Sequence, residues 1–177
     1  MVKLEDIECS VFNVFVNWVY INTLPADRQE MDEMQIVGHY GGNPLKDDLY
    51  VTTMVKAYIF GDRFLAVTFR NAVYHQLVEA ILCDPRPPWF HATKVAFPHL
   101  PEDDVLLMFL IDIDCRYCRE RDYLVKNEDA TEVQNAVVLQ LPAKLLLMIM
   151  AVYSRKTLTD PGWWANDLEA GDYHGYG

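Results

Sequence analysis

The fold of this chain is decided by residues 49–82, LYVTTMVKAYIFGDRFLAVTFRNAVYHQLVEAIL. Apolar residues in its first half recur at i, i+3, i+4, i+7 and i+8, the spacing of one helix face: Val51, Met54, Val55, Tyr58 and Ile59. Gly61-Asp62-Arg63 interrupts this pattern, and a second helical stripe follows at Phe69, Ala72, Val73, Leu77, Ala80 and Ile81. The stretch therefore predicts two amphipathic helices in a hairpin or corner, which need flanking elements to bury their stripes.

A second apolar stretch precedes this pair at residues 11–21, VFNVFVNWVYI. Its composition is typical of a strand, but Phe12, Phe15, Val16, Val19 and Tyr20 keep helical spacing. Since only two asparagines are clearly polar, we expect a helix that is buried on most sides and ends near Leu24-Pro25. Residues 2–4 are predicted to form a short strand before it.

Composition limits the classes of protein to which the chain can belong. With 177 residues it is long enough for one domain with a real core, and a net charge of −11 disfavours binding to nucleic acid or anionic membranes. Four cysteines do not make a disulfide framework, and acids come too early for a signal peptide. The longest apolar run, residues 145–153, is far below the ~20 residues that span a bilayer. We therefore expect a soluble intracellular protein, cytoplasmic or nuclear.

Boundaries follow from breaks in periodicity. Residues 26–48 are acidic and aperiodic, which predicts a flexible loop, and the proline-rich run 83–88 is the best internal boundary. After it we expect a short helix over 89–97 and a helix opened by residues 100–104, with Leu106, Leu107, Leu110, Ile113 and Tyr117 on its apolar face. Residues 120–135 are predicted to be irregular, and a last helix covers 143–155. The predicted organisation is thus 1–83, 89–156 and a tail over 157–177.

Several of these segments resemble the BTB/POZ domain family. VKAYIFGDRFL at 55–65 and FRNA at 69–72 resemble the helix pair that ends the domain. LEDI at 4–7, followed by Phe12, Trp18, Tyr20 and Leu24-Pro25, resembles a strand and a core helix of the family, although Glu8-Cys9 stands where relatives carry Asp-Pro. The second half is similar to the helical extension of fungal members, in Ala96-Phe97, Leu100-Pro101, residues 112–117, Leu141-Pro142 and residues 172–174.

This resemblance implies a mainly α fold: a partial BTB/POZ-like α+β domain, with a short strand and core helices, followed by a helical extension. It begins midway through the family's fold, so the strands and helices used for dimerisation there have no counterpart in this sequence. The implied function is protein–protein interaction, with self-association or an adaptor role, and a cullin-type ubiquitin ligase is a possible partner by family resemblance alone. No cofactor is implied.

Cys115 and Cys118 form the only metal-like or redox-like spacing in the sequence. A zinc site needs four ligands and one CxxC pair supplies two, while His91 and His99 are eight residues apart, outside usual finger spacings. A redox pair would need a βαβ context, whereas this pair ends a helix. Structural cysteines are therefore favoured, with a small metal-binding or thiol-dependent protein as the alternative and a non-functional fragment as a third reading.

The remaining polar residues give no catalytic pattern. His75 lies beside a core stripe, and Asp112 and Asp114 point about 200° apart on a helix, so they do not form a carboxylate pair. We predict that the chain is not an enzyme. Because the helix over 11–21 is apolar on nearly every side, we expect an uncovered surface that takes a partner or a second copy. The candidate surface residues are Phe12, Phe15, Trp18 and Tyr20, with Trp163 and Trp164 either folded back or anchoring a partner.

Overall fold

The computed structural model of the protein describes residues 7–34, 46–83, 90–124 and 141–159, without the side chains at 46–48, 90 and 116–124. These residues are mainly helical and contain no strand, so the mainly α prediction is confirmed, while the strand predicted at 2–4 lies outside them. They contain seven helices: α1 Cys9–Ile21, α2 Arg28–Glu33, α3 Lys46–Arg63, α4 Val67–Cys83, α5 Phe90–Ala96, α6 Val105–Leu124 and α7 Ala143–Thr159.

The described residues fall into two compact units, 7–83 and 90–159. In the first unit α3 packs against α4, and α1 and α2 pack against α3. In the second unit α6 packs against α5 and α7. The assignment of these units to a partial BTB/POZ domain and its extension stays a prediction.

The helix pair predicted over 49–82 is the core of the first unit. The stripe residues Val51, Met54, Val55 and Tyr58 are buried on α3, and Phe69, Val73, Leu77 and Ile81 are buried on α4. The predicted interruption is three residues too early, because Gly61 lies inside α3 and the helix ends after Arg63. Leu65 makes the turn with a φ of 57°, and the Ala66 N–H donates to the Gly61 carbonyl at 2.8 Å.

Gly61 lies inside α3 because α4 passes directly against it. A methyl group at this position would lie 3.0 Å from Cβ and 3.1 Å from Cα of Arg70. Arg70 is held in place, since its guanidinium donates to the Asp62 carboxylate at 2.8 Å. A side chain on residue 61 can therefore be accommodated only if the two helix backbones separate.

We expect Gly61→Ala to lower the free energy of unfolding by about 1–2 kcal/mol. Overpacking costs roughly 1–3 kcal/mol, which exceeds the roughly 0.5–1 kcal/mol that alanine gains over glycine inside a helix. Urea unfolding monitored by circular dichroism measures the difference, with Glu79→Ala on the exposed side of α4 as the near-neutral control. A urea midpoint equal to or above that of the unsubstituted chain would contradict this expectation. It would show that α3 and α4 accommodate the added methyl group without loss of stability.

The prediction of a loop over 26–48 is wrong at both ends of this range, where the structure has helices. α2 occupies Arg28–Glu33, and α3 begins at Lys46; residues 35–45 lie outside the described part. The Asp27 carboxylate accepts from the Glu30 N–H at 2.9 Å, while the Glu30 carboxylate accepts from the Ala26 N–H at 2.8 Å. This reciprocal cap and the fully buried Met31 stabilise a helix too short to show periodicity.

Tyr50 fixes the chain between α1 and α2 to the core. Its hydroxyl is buried and donates to the Pro25 carbonyl at 3.0 Å. Burial raises the pKa of Tyr50 far above its usual value, and the negative charge of Asp27 raises it further. The hydroxyl therefore remains a hydrogen-bond donor at any physiological pH.

The longest helix of the second unit, α6, both begins and ends later than predicted. Residues 102–103 form a turn, and Asp104 caps α6 by accepting from the Leu106 N–H at 2.9 Å. The helix then continues to Leu124, into the segment predicted to be irregular. Its added residues include arginine and glutamate, which favour helices, so charge alone was a poor sign of irregular structure.

The predicted apolar face of α6 is confirmed where its side chains are described. Leu106, Leu107, Leu110 and Ile113 are buried, while the side chain of Tyr117 lies outside the described residues. The short helix predicted over 89–97 is α5, and α7 extends four residues beyond its predicted end. The predicted tail over 157–177 therefore begins as helix, and its residues after Thr159 lie outside the described part.

Candidate functional site

α1 is the described helix with the most unusual surface. None of its thirteen residues is acidic or basic, although 23% of the chain is charged. The helix has no side-chain cap at its start, because the Glu8 carboxylate instead pairs with Lys56 of α3 at 2.5 Å. It ends at Ile21, three residues before the predicted boundary, where Asn22 adopts a φ of 59° and its N–H donates to the Trp18 carbonyl at 2.8 Å.

One face of α1 is packed against the helix pair. Val11 and Val14 are buried, and Phe15 lies 5.1 Å from both the Phe60 ring and the Phe69 ring, measured between ring centroids. The Trp18 ring lies 5.3 Å from that of Phe69. Two of the predicted surface residues, Phe15 and Trp18, are therefore half-buried on the inner side of the helix.

The opposite face of α1 is apolar and exposed. We call its residues Phe12, Val16, Val19 and Tyr20 the outer stripe, because i, i+4, i+7 and i+8 lie on one side of a helix. Phe12, Val19 and Tyr20 are 42%, 54% and 84% exposed. The expectation that α1 is buried on most sides is wrong. Aromatic residues of α3 and α4 pack against its inner face, while Phe12, Val19 and Tyr20 stay exposed.

Further exposed apolar side chains lie at the same end of the first unit. Since Trp18 contacts Phe69 near the start of α4, the last turn of α1 lies at the end where α3 turns into α4. That turn presents Leu65 and Val67, both exposed. The sequence pointed to Tyr20 and Phe12 but missed Val19 and Leu65, because exposure depends on which face α3 covers.

Cys115 is buried in the second unit, and its thiol donates to the Ile149 carbonyl of α7 at 3.3 Å. The Cys118 side chain lies outside the described residues, so the structure does not test the pair as a pair. Among the described residues no group of three or more His, Cys, Asp and Glu side chains is placed to hold a metal ion. The contact of Cys115 with α7 is that of a structural thiol.

We expect protein purified without chelator to contain no stoichiometric zinc, because Cys115 is occupied by its contact with α7 and zinc requires four ligands. Elemental analysis of the folded chain measures this. A signal of one zinc per chain that disappears in the Cys115→Ser, Cys118→Ser double variant would contradict the expectation and favour the metal-binding alternative.

The predicted separation of Asp112 and Asp114 is confirmed by their partners. Asp112 pairs with Lys156 of α7 at 2.7 Å, whereas Asp114 is fully buried and accepts from the Thr93 hydroxyl of α5 at 2.6 Å. Each carboxylate therefore ties α6 to a different neighbouring helix. The Thr93–Asp114 contact was not predicted, since hydrophobic periodicity does not identify a threonine as a buried partner.

His75 is half-buried on α4, with its ring 5.6 Å from the Tyr74 ring. His91 and His99 are exposed in the second unit, and Trp163 and Trp164 lie outside the described residues. Within the described ranges, no helix combines the length and the hydropathy that crossing a membrane would require.

The outer stripe is thus an exposed apolar surface of the first unit, and comparison with known proteins does not identify its role. No family model, no curated protein and no solved structure matches this chain.

Proposed function

We propose that the chain is a protein–protein interaction module whose docking surface is the outer stripe of α1, and that a second copy of the chain occupies it. The supporting observation is a helix without a single charged residue that leaves one apolar face in solvent. Contiguous exposed apolar surface is typical of interaction sites.

Charge favours a second copy as the occupant. Each chain carries a net charge of −11, so two copies repel each other except where they meet through an uncharged surface. A partner selected by charge would need complementary groups on the stripe, and α1 has none. An apolar helix face is also complementary to itself, as a two-fold symmetric contact requires.

The resemblance to BTB/POZ proteins supports the same class of function, since that family associates through protein–protein contacts. An adaptor role and a cullin-type ligase partner remain proposals that rest on this resemblance alone. The contact proposed here uses α1 and rests on the exposure of the outer stripe, not on the resemblance.

We expect Tyr20→Lys to weaken self-association at least tenfold without lowering the melting temperature. Tyr20 is 84% exposed, and tyrosines are enriched among residues that dominate interfaces. A lysine in the last helical turn suits the helix dipole, so lost association cannot be attributed to a weakened helix. Sedimentation equilibrium of both forms over a range of concentrations measures the dissociation constant.

The matched control is Leu147→Lys, an exposed leucine of the second unit, which should leave association unchanged. A monodisperse monomer at all concentrations, which melts cooperatively and binds no apolar-surface dye, would overturn the proposal. Equal weakening by both substitutions would also overturn it, because it would show a general effect of added charge.

A further inference from the structure

The outward side of α1 carries one amide among apolar side chains. Cys9, Asn13, Val16 and Tyr20 follow one another at intervals of four, three and four residues. At about 100° per residue, these four lie within about 60° of one another around the helix. We call them the α1 seam, because alternating intervals of three and four residues are those at which two helices pack together along their length.

Asn13 is exposed, and it differs in this from the other asparagine of the helix. Asn17 lies to one side of the seam, where its amide donates to the Thr23 carbonyl at 3.4 Å and to the Met34 sulfur at 3.3 Å within the same unit. An amide that becomes covered lowers stability unless it finds a hydrogen-bond partner. The occupant of the outer stripe must therefore offer a donor or an acceptor at Asn13.

A second copy offers such a group in one orientation. In a parallel two-fold contact each seam residue faces its own counterpart, so the two Asn13 amides can donate to and accept from each other. In an antiparallel contact centred on Val16, the middle of the outer stripe, Asn13 faces Val19 of the second copy, whose side chain has no polar atom. A single asparagine in an apolar helix contact is a known means of fixing register and the number of helices.

The two ends of α1 favour the same orientation. The Tyr20 end lies beside the exposed side chains of Leu65 and Val67, whereas at the other end Glu8 pairs with Lys56. A parallel contact brings the two apolar ends together. An antiparallel contact places each apolar end against the ion pair of the other copy and removes both charges from water, which is unfavourable.

We propose that two copies meet through parallel α1 seams, and that Asn13 determines the orientation and register by facing its counterpart in the second copy. This inference rests on the proposed function, since it specifies how the second copy lies on the outer stripe. It identifies a specificity-determining residue, because the apolar residues of the stripe alone do not distinguish the two orientations.

Cys9 reports the orientation directly. In the parallel contact the two Cys9 residues face each other, and a disulfide requires Cα atoms about 4.4–6.8 Å apart. In the antiparallel contact they lie fourteen residues apart along the pair, which is about 21 Å at 1.5 Å per residue. A disulfide between the two copies at this residue therefore forms readily in one orientation and not in the other.

The first test is the rate of dimer crosslinking by diamide, a thiol oxidant, measured by non-reducing electrophoresis. A chain with Cys83→Ser and Cys118→Ser keeps the exposed Cys9 and the buried Cys115. Its matched control carries Cys9→Ser and Cys118→Ser and so keeps Cys83, which is also exposed and lies in the same unit. At concentrations where sedimentation shows a dimer, the Cys9 chain should crosslink at least about tenfold faster than the control.

The second test exchanges the charge at the seam. Asn13→Asp and Asn13→Lys should each weaken self-association at least about tenfold, because like charges then face each other. An equimolar mixture of the two variants should associate at least about tenfold more tightly than either alone, since opposite charges meet in the parallel register. Circular dichroism should show that both variants remain helical, because residue 13 is exposed.

The outcomes separate this inference from the proposed function. A dimer in which Cys9 and Cys83 crosslink at equal rates would overturn the parallel register and leave the outer stripe as the docking surface. A mixture that associates no more tightly than the separate Asn13 variants would do the same. A chain that stays monomeric at every concentration would overturn both proposals.

Discussion

Tyr58→Asp is expected to unfold the first unit. Tyr58 is a residue of α3 that is 1% exposed. It faces α4, where its ring lies 6.3 Å from that of Tyr74, measured between ring centroids. Removing a large core aromatic side chain costs about 3–5 kcal/mol, and a buried unpaired carboxylate adds several more. The sum is comparable with the ~5–15 kcal/mol that stabilises a typical domain.

Arg70 does not rescue the new carboxylate. The Arg70 guanidinium lies 5.7 Å from the Tyr58 ring, but it already donates to the Asp62 carboxylate at 2.8 Å. We therefore expect the variant to lose most of the helical circular dichroism of residues 7–83 and its cooperative melting transition.

Tyr20→Asp is the matched control, because it makes the same substitution at a tyrosine that is 84% exposed. Measured on dilute protein, it should melt within a few degrees of the unsubstituted chain. If Tyr58→Asp melted at that temperature too, α3 and α4 would not form the core of the first unit.

Phe69→Ala is expected to cost about 3–5 kcal/mol of unfolding free energy. Phe69 is fully buried at the start of α4 and is the centre of an aromatic cluster. Its ring lies 5.1 Å from Phe15, 5.3 Å from Trp18 and 6.4 Å from Phe60, the last in an edge-on arrangement. The substitution leaves a cavity between three helices, and the backbones of two of them, α3 and α4, are already in close contact at Gly61 and cannot approach further.

Urea unfolding followed by Trp18 fluorescence measures this loss, because the indole is one of the neighbours that the cavity would expose. Phe12→Ala is the control, since Phe12 lies on the outer stripe and is 42% exposed. We expect it to cost less than about 1 kcal/mol at concentrations where the chain is monomeric. If the two substitutions lowered the free energy of unfolding equally, packing against Phe69 would not be what stabilises the position of α1.

The sequence by itself determined the helices and most of the core. Periodicity identified α1, α3, α4 and α7 and the buried stripes of α3, α4 and α6, because a helix that packs on one side must repeat its apolar residues every turn. It failed at α2, whose six residues are too few for a period, and at the start of α6, where Asp104 is a cap and not part of the first turn.

Only the tertiary structure decided which face of α1 is covered. The sequence of α1 is apolar on nearly every side, so no periodicity distinguishes the face with Phe15 and Trp18 from the outer stripe. The choice is made by Phe60 and Phe69, which lie on other helices and meet α1 only after α3 and α4 have packed. Gly61 and the Thr93–Asp114 contact were unpredictable for the same reason. Local pattern fixes where a helix forms, but the neighbour that covers it is set by contacts between residues distant in the chain.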